Sequence, residues 1–172
     1  NFSNKLKKFY NSVMVRSDLV IAGSNFIFNH IHKNYSYLIT AKKKLVVIFR
    51  GINTEYYNSV SIAHEKINKF FSKFNLSPET FKILLPGRLT RWKGQEMFIE
   101  SLSLLKTKYN KENFQAIILG SHQGRNVYYK KLLSMVAKNR LNKNVIFLSY
   151  FKELPVVYYA ADVIVSSSIE PE

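Results

Sequence analysis

Short apolar runs alternate along this chain with longer stretches in which apolar positions recur every three or four residues. Asn4 to Arg16 carries apolar side chains at 6, 9, 10, 13 and 14, a spacing that predicts a helix. Asp18 to Ser24 (DLVIAGS) predicts a buried strand. Ser24 then reads as the N-cap of a helix to about Asn34, with Phe26, Ile27, His30 and Ile31 on one face. A basic loop, Ala41 to Lys44, precedes a second buried strand at Leu45 to Phe49, which stops at Arg50-Gly51. Ser61 to Asn75 predicts an amphipathic helix, ended by Ser77-Pro78.

The second series has a tighter rhythm. Strands are predicted at Phe81 to Leu85, Phe114 to Leu119, Asn144 to Leu148 and Asp162 to Ser166. Helices are predicted between them at Gly94 to Tyr109, Asn126 to Asn139 and Glu153 to Ala160. Five-residue apolar strands alternating with helices imply β-α-β units, hence an α/β fold with a Rossmann-like parallel sheet and flanking helices. In such a sheet ligands sit beyond the carboxyl ends of the strands. The loops that follow residues 85, 119, 148 and 166 are therefore where chemistry belongs.

Composition changes this picture little. The chain has 172 residues, 47% of them hydrophobic and 22% charged, as in a folded globular protein and unlike a disordered one. No apolar run reaches the length of a bilayer span. The start shows no signal-peptide core, and without a Met at position 1 we expect a piece of a longer protein. Zero Cys excludes disulfides, zinc thiolates and thiol catalysis, and fits a cytoplasmic setting. The balance of 26 Lys and Arg against 11 Asp and Glu, formally +15, fits either a solvated lysine-rich surface or an anionic partner.

Pro86 to Gln95 (PGRLTRWKGQ) is the most informative loop, because it follows a buried strand and opens a helix. Gly87 and Gly94 let the backbone turn and approach a ligand, and Arg88, Arg91 and Lys93 supply cations suited to a phosphate or diphosphate. An ordinary solvated βα loop fits the same residues. Neither the Walker A pattern nor G-x-G-x-x-G is present. Glu170-Pro171-Glu172 follows the last strand at the same edge, where a carboxylate could grip sugar hydroxyls or simply form a charged turn. His30 and His32 fall on different helix faces, and His64 and His122 have no carboxylate set beside them. The only two Asp residues, Asp18 and Asp162, build no Mg²⁺ site. Ser166-Ser167-Ser168 lacks a nucleophile-elbow frame. Tyr128-Tyr129 and Tyr158-Tyr159 read as core packing of amphipathic helices.

Taken in order, DLVIAGS, KLVVIFRGINTEYY, ILLPGRLTRWKGQEMFIESL, AIILG and VIFLSYFKELPVVYYAADVIVSSSIEPE resemble the family-4 retaining glycosyltransferases of the GT-B fold, over nearly the whole chain. The specific elements are G-R-L-x-x-x-K-G after a strand and A-D-V-x-V-x-x-S-x-x-E-x-E at the end. The resemblance implies two Rossmann-like domains facing across a cleft. Residues 1–50 would be the last part of the acceptor-side domain with the interdomain strand, and 51–172 an incomplete nucleotide-sugar-binding domain. Arg50-Gly51-Ile52-Asn53 stands where the family usually has Asn-Gly-Val-Asp.

By the same resemblance Arg88 and Lys93 hold the donor diphosphate and stabilise the leaving nucleotide, with Gly87 and Gly120 letting the backbone come close. Tyr150, Phe151 and Leu154 lie where the family binds the base, with Ser149 in place of the usual Gly. Glu172 matches the first Glu of the family's E-x₇-E motif, which contacts the donor sugar; Glu170 is outside that spacing. The implied catalytic set is Arg88, Lys93 and Glu172, with no metal and no cofactor beyond the nucleotide-diphosphate sugar donor.

The implied acceptor is a cell-envelope glycan or lipid-linked glycan such as lipopolysaccharide or capsule. A cytoplasmic enzyme is implied, peripheral on the inner face of the membrane, with Lys5, Lys7, Lys8 and Arg16 near anionic lipid. We expect these 172 residues alone to be inactive and to expose apolar surface that favours self-association. A decayed remnant of such an enzyme is the alternative. A basic nucleic-acid-binding module is a third reading, but no nucleic-acid motif supports it and no nucleic-acid partner is expected.

Overall fold

A computed structural model describes residues 2–39, 44–58 and 62–169, with side chains described from residue 6 onward. The chain divides into two compact units, Asn1–Asn53 and Thr54–Glu172.

In the first unit, α1 (Phe2–Ser12) runs through a 3₁₀ turn (Val13–Val15) into β1 (Leu19–Ala22), and α2 (Asn25–Tyr35) leads to β2 (Lys44–Val47). The hydroxyl of Ser24 accepts the Ile27 amide at 3.2 Å, the N-cap its sequence position predicts. β1 and β2 pair in parallel, from Leu19 opposite Lys44 to Ala22 opposite Val47. The packing departs from the buried strand predicted at Asp18 to Ser24, while the expected exposed apolar surface is present. Val20, Ala22, Val15 and Tyr35 are buried, whereas Leu19 and Ile21 on alternate positions of β1 are exposed, so the strand is covered on one face only. The apolar positions of α1 (Leu6, Phe9 and Tyr10) and of the 3₁₀ turn after it (Val13 and Met14) are also exposed. Two strands offer too narrow a surface to cover that stripe and α2 together. Phe26 and Ile27 of α2 likewise stay exposed.

The second unit holds α3 (His64–Lys73), β3 (Phe81–Pro86), α4 (Gln95–Thr107), β4 (Phe114–Leu119), α5 (Asn126–Lys138), β5 (Val145–Leu148), α6 (Leu154–Tyr159) and β6 (Val163–Ile164). The strands form one parallel sheet in the order β5-β4-β3-β6. Alternation along the strands feeds two cores. Ile83, Leu85, Ala116 and Ile118 pack with Phe98, Ile99, Leu102, Leu132 and Val136 of α4 and α5. Leu84, Ile117 and Leu119 pack with Phe70 of α3 and Val156 and Val157 of α6. Burial on both faces is why β3 and β4 are apolar at consecutive positions from Ile83 and from Ala116 onward. β6 is shorter than the five residues predicted, since it borders β3 alone and Val163 and Ile164 remain half exposed.

Lys82 is the exception within β3, a buried ionisable side chain. Its ammonium donates to the Thr80 and Pro78 carbonyls and lies 5.0 Å from the Phe71 ring, while its backbone N–H donates to the Asp162 carboxylate at 2.6 Å. Burial lowers the Lys82 pKa, opposed by Asp162 and Glu79.

Backbone contacts join the loops at the carboxyl edge of the sheet. The Gly87 N–H donates to the Leu119 carbonyl at 2.8 Å and the Gly120 N–H to the Leu148 carbonyl at 2.7 Å, so the ladder continues past the ends of β3 and β4. A Cβ on Gly120 would collide with the Gly87 carbonyl, and one on Gly94 with the Ser167 carbonyl. Gly124, by contrast, has open space around it but a left-handed φ of +79°.

Two outcomes are expected. Gly120→Ala, forcing two backbones apart, destabilises by about 3 kcal/mol in urea unfolding, against about 1 kcal/mol for Gly124→Ala, whose penalty is conformational only; equal effects would contradict the close approach. Lys82→Met provides the second. Because the folded-state pKa of Lys82 lies below its unfolded value of 10.5, the unfolded chain binds more protons between the two. Wild-type stability relative to Lys82→Met therefore rises as pH climbs through that window toward 10.5. Urea midpoints of both proteins at neutral and alkaline pH check this.

Candidate functional site

The loop after β3 is held from below by Gln95. This side chain is fully buried, its Nε2 donating to the Arg88 carbonyl at 2.9 Å while its Oε1 accepts the Tyr128 hydroxyl at 3.2 Å. Both ends of the amide are thus used, which fixes the backbone that presents Arg88. From the side, the Ser167 hydroxyl lies 3.0 Å from the Lys93 carbonyl and 3.2 Å from that of Gly94, so its proton is shared between them. Ile169 N–H donates to the Trp92 carbonyl at 2.9 Å. The loop after β6 therefore docks on the loop after β3. Gln95 and Ser167 went unmarked in the sequence, where a polar residue after a glycine and one serine among three look like surface.

Gly87 and Gly94 both adopt positive φ, 153° and 70°. Gly94 caps the start of α4 in the left-handed region, and the 3₁₀ turn Arg91–Lys93 precedes it. The aliphatic stem of Lys93 packs where a Gly87 side chain would be, at 3.4 Å. Two cations of this loop lie over Trp92. The Lys93 ammonium lies 4.6 Å from its ring centroid and the Arg88 guanidinium 5.9 Å. Facing the π cloud, each cation gains electrostatic attraction from the ring.

A cavity of about 310 Å³ opens at the sheet edge, lined from the loops after β3, β4 and β5 and from α6. Gly87, Arg88, Gly120, Tyr150, Phe151 and Leu154 all border it, so six of the residues singled out in the sequence meet around one space. Lys93 is not on its lining but packs against Gly87, which is. Glu172, with Glu170, lies outside the described residues. Lys152 and Tyr158 border the cavity too and were not anticipated. Burial raises the Tyr158 phenol pKa, with Tyr57 adding to it, so the hydroxyl is a neutral donor at physiological pH.

The two aromatic residues of the β5 loop differ in kind. Phe151 is gripped edge-on by Phe70 at 5.1 Å and by Phe74 at 5.9 Å, which anchors the loop to α3. Lys66 reinforces this, reaching Glu153 at 2.9 Å. Tyr150 is 76% exposed and free to meet a ligand. Beside the cavity a smaller space of about 170 Å³ is lined by Leu89, Gly120, His122, Tyr129, Phe147 and Ser149. His122 stacks on Tyr129 at 5.4 Å, and its Nδ1 has no partner among the described residues. Among these residues no three His, Asp or Glu converge as a metal site, and no helix is long and apolar enough to cross a membrane.

A diphosphate-sized polar ligand would thus find two glycine backbones, a guanidinium, an ammonium behind them, and an aromatic face at the far end. Comparison with known proteins bears on what uses such a site. The family described as Glycosyl transferases group 1 matches residues 66–172. No curated protein matches the chain. Among solved structures, a glycosyltransferase from Rickettsia africae is 32% identical with a TM-score of 0.80, over 98% of this chain and 43% of that one. Anabaena Alr3699/HepE, solved with UDP and glucose, is 22% identical with a TM-score of 0.81, over the same shares of the two chains. WaaG, a glycosyltransferase of lipopolysaccharide biosynthesis, is 17% identical with a TM-score of 0.70, over 88% of this chain and 38% of that one. The last two show the fold alone. The chain spans less than half the length of each of these proteins. With the family matched over more than half of its residues and the parallel α/β architecture shared with GT-B glycosyltransferases, this chain belongs to the group 1 glycosyltransferases.

Proposed function

We propose that the chain carries the donor half of a glycosyltransferase that moves a sugar from a nucleotide-diphosphate sugar to a cell-envelope glycan or glycolipid, with retention and without a metal. The observation that supports it most is the meeting of Gly87, Arg88, Gly120, Tyr150, Phe151 and Leu154 around one cavity, with Lys93 packed directly behind. In this reading residues 54–172 bind the donor and the first unit belongs to the acceptor side. Arg88 and Lys93 take the diphosphate. As the glycosidic bond to phosphate breaks, negative charge grows on the departing β-phosphate oxygens, and cations already aimed there lower the barrier without reorganising. Their placement over the Trp92 ring helps hold both cations in this loop.

The base would rest against exposed Tyr150 and the Leu154 end of the cavity, and Glu172 would contact the sugar. The bound UDP and glucose of the Anabaena protein support a uridine nucleotide as the first donor to try. WaaG, acting in lipopolysaccharide biosynthesis, supports an envelope acceptor. A cytoplasmic enzyme resting on the inner membrane surface through the basic face of α1 (Lys7, Lys8) and Arg16 completes the proposal.

Titration with UDP, GDP and ADP tests it. One nucleotide is expected to bind, and Arg88→Ala and Lys93→Ala each weaken it by about tenfold or more, the loss of one charge-assisted contact. Salt-sensitive binding of duplex DNA, indifferent to both substitutions, would instead support a nucleic-acid module. In the full-length protein the same two variants are expected to lower kcat more than they raise KM, since the charge they meet develops in the transition state.

A further inference from the structure

A second cleft opens on the other side of the Trp92 loop. It encloses about 810 Å³ and is lined by Thr90, Arg91 and Trp92, by Gly124 to Tyr128, and by Lys131. It shares no lining residue with the cavity at Arg88. Three cations border it. The Arg91 carbonyl accepts the Gly94 N–H, while its side chain borders the cleft with no hydrogen bond or ion pair among the described residues. Arg125 spends one N–H on Gln123 at 3.0 Å, leaving the rest of its fork open. Lys131 pairs with Glu96, and no carboxylate is among the residues that line the cleft.

The 13-residue helix α5 begins in this cleft, with no side-chain cap and no acidic residue in its first turn. Its N-terminal amides therefore add positive potential to that of the cations. Burial and Glu96 push the Tyr128 phenol up to about 12, with Arg91 pulling the other way. Tyr128 thus stays protonated and adds no negative charge.

An independent observation comes from Thr90. This side chain is 7% exposed and lines the same cleft, yet its Oγ1 has no partner among the described residues. A buried hydroxyl without a partner is destabilising by about 1–3 kcal/mol unless something fills the need. An anion seated between Arg91, Arg125 and the start of α5 would do so. The remaining wall, Trp92 and the exposed Val127, is apolar and suits the body of the molecule that bears the anion.

We propose that this cleft is a second binding site, for a phosphate ester whose phosphate sits between Arg91, Arg125 and the α5 N-terminus and whose body packs on Trp92 and Val127. It is separate from the donor site and does not depend on that reading. Two sources share this chemistry, a soluble sugar phosphate and the headgroup of an anionic lipid.

Trp92 is the chain's one tryptophan and reports from the cleft wall, so its fluorescence follows titration of the full chain with glucose 6-phosphate. Sedimentation with vesicles of equal parts phosphatidylcholine and phosphatidylglycerol provides the lipid arm. Saturable binding in either arm is expected, unchanged in affinity in Arg88→Ala/Lys93→Ala and weakened by about tenfold or more in Arg91→Ala/Arg125→Ala. Both arginines are solvent-exposed, so that variant is expected to keep its circular dichroism and melting temperature. Thr90→Val is expected to weaken binding while leaving the melting temperature equal or higher, since it removes the unpartnered hydroxyl. The arm that binds names the source. No saturable binding in either arm would overturn the proposal, as would binding that survives loss of Arg91 and Arg125 or disappears with Arg88 and Lys93.

Discussion

The organisation of the second unit depends on how closely its backbone strands can approach at the carboxyl edge of the sheet. Gly120 lies directly on the Gly87 carbonyl, and Gly94 on that of Ser167, with no room for a side chain at either point. Because the loops touch through main chain, their positions are set by the strands that carry them. Everything later attributed to the site inherits that rigidity. Arg88 is presented by a carbonyl tied to Gln95, Lys93 by a stem that fills the space a Gly87 side chain would need, and Tyr150 by a loop anchored through Phe151.

Electrostatics build on this frame locally. The +15 of the whole chain says little, since most of its lysines are spread over the surface. What matters is the concentration of cations on both sides of one 3₁₀ turn, Arg91–Lys93. Trp92 sits at its centre, with Arg88 and Lys93 over its ring and Arg91 in the cleft beyond. A single short segment thus presents positive charge to two separate spaces. The carboxylate Glu96 balances only Lys131, at the edge of the second.

The first unit obeys the same alternation rules with a different result. β1 buries Val20 and Ala22 and leaves Leu19 and Ile21 exposed, and the apolar stripe of α1 is uncovered. Periodicity reports which residues share a face; it does not report whether anything lies opposite. The two-stranded sheet has one layer of packing, whereas the four-stranded sheet has two, through α4 and α5 on one side and α3 and α6 on the other.

The pattern of apolar and polar positions by itself determined the order and type of all twelve principal elements, because a five-residue apolar strand and an amphipathic helix are local consequences of burial. It also singled out the loop after β3 as the charged one at the sheet edge, since Gly87, Arg88, Lys93 and Gly94 lie in one short stretch of the chain. The tertiary structure alone decided the rest. That Gln95 is a fully buried strut, that Ser167 and the Ile169 N–H fasten the loop after β6, and that Phe151 is an anchor while Tyr150 is presented all depend on contacts between distant segments. The second cleft was invisible for the same reason. Arg91 and Arg125 are far apart in sequence, and only the parallel packing of β3 beside β4 brings the turn after one strand to the helix that follows the other.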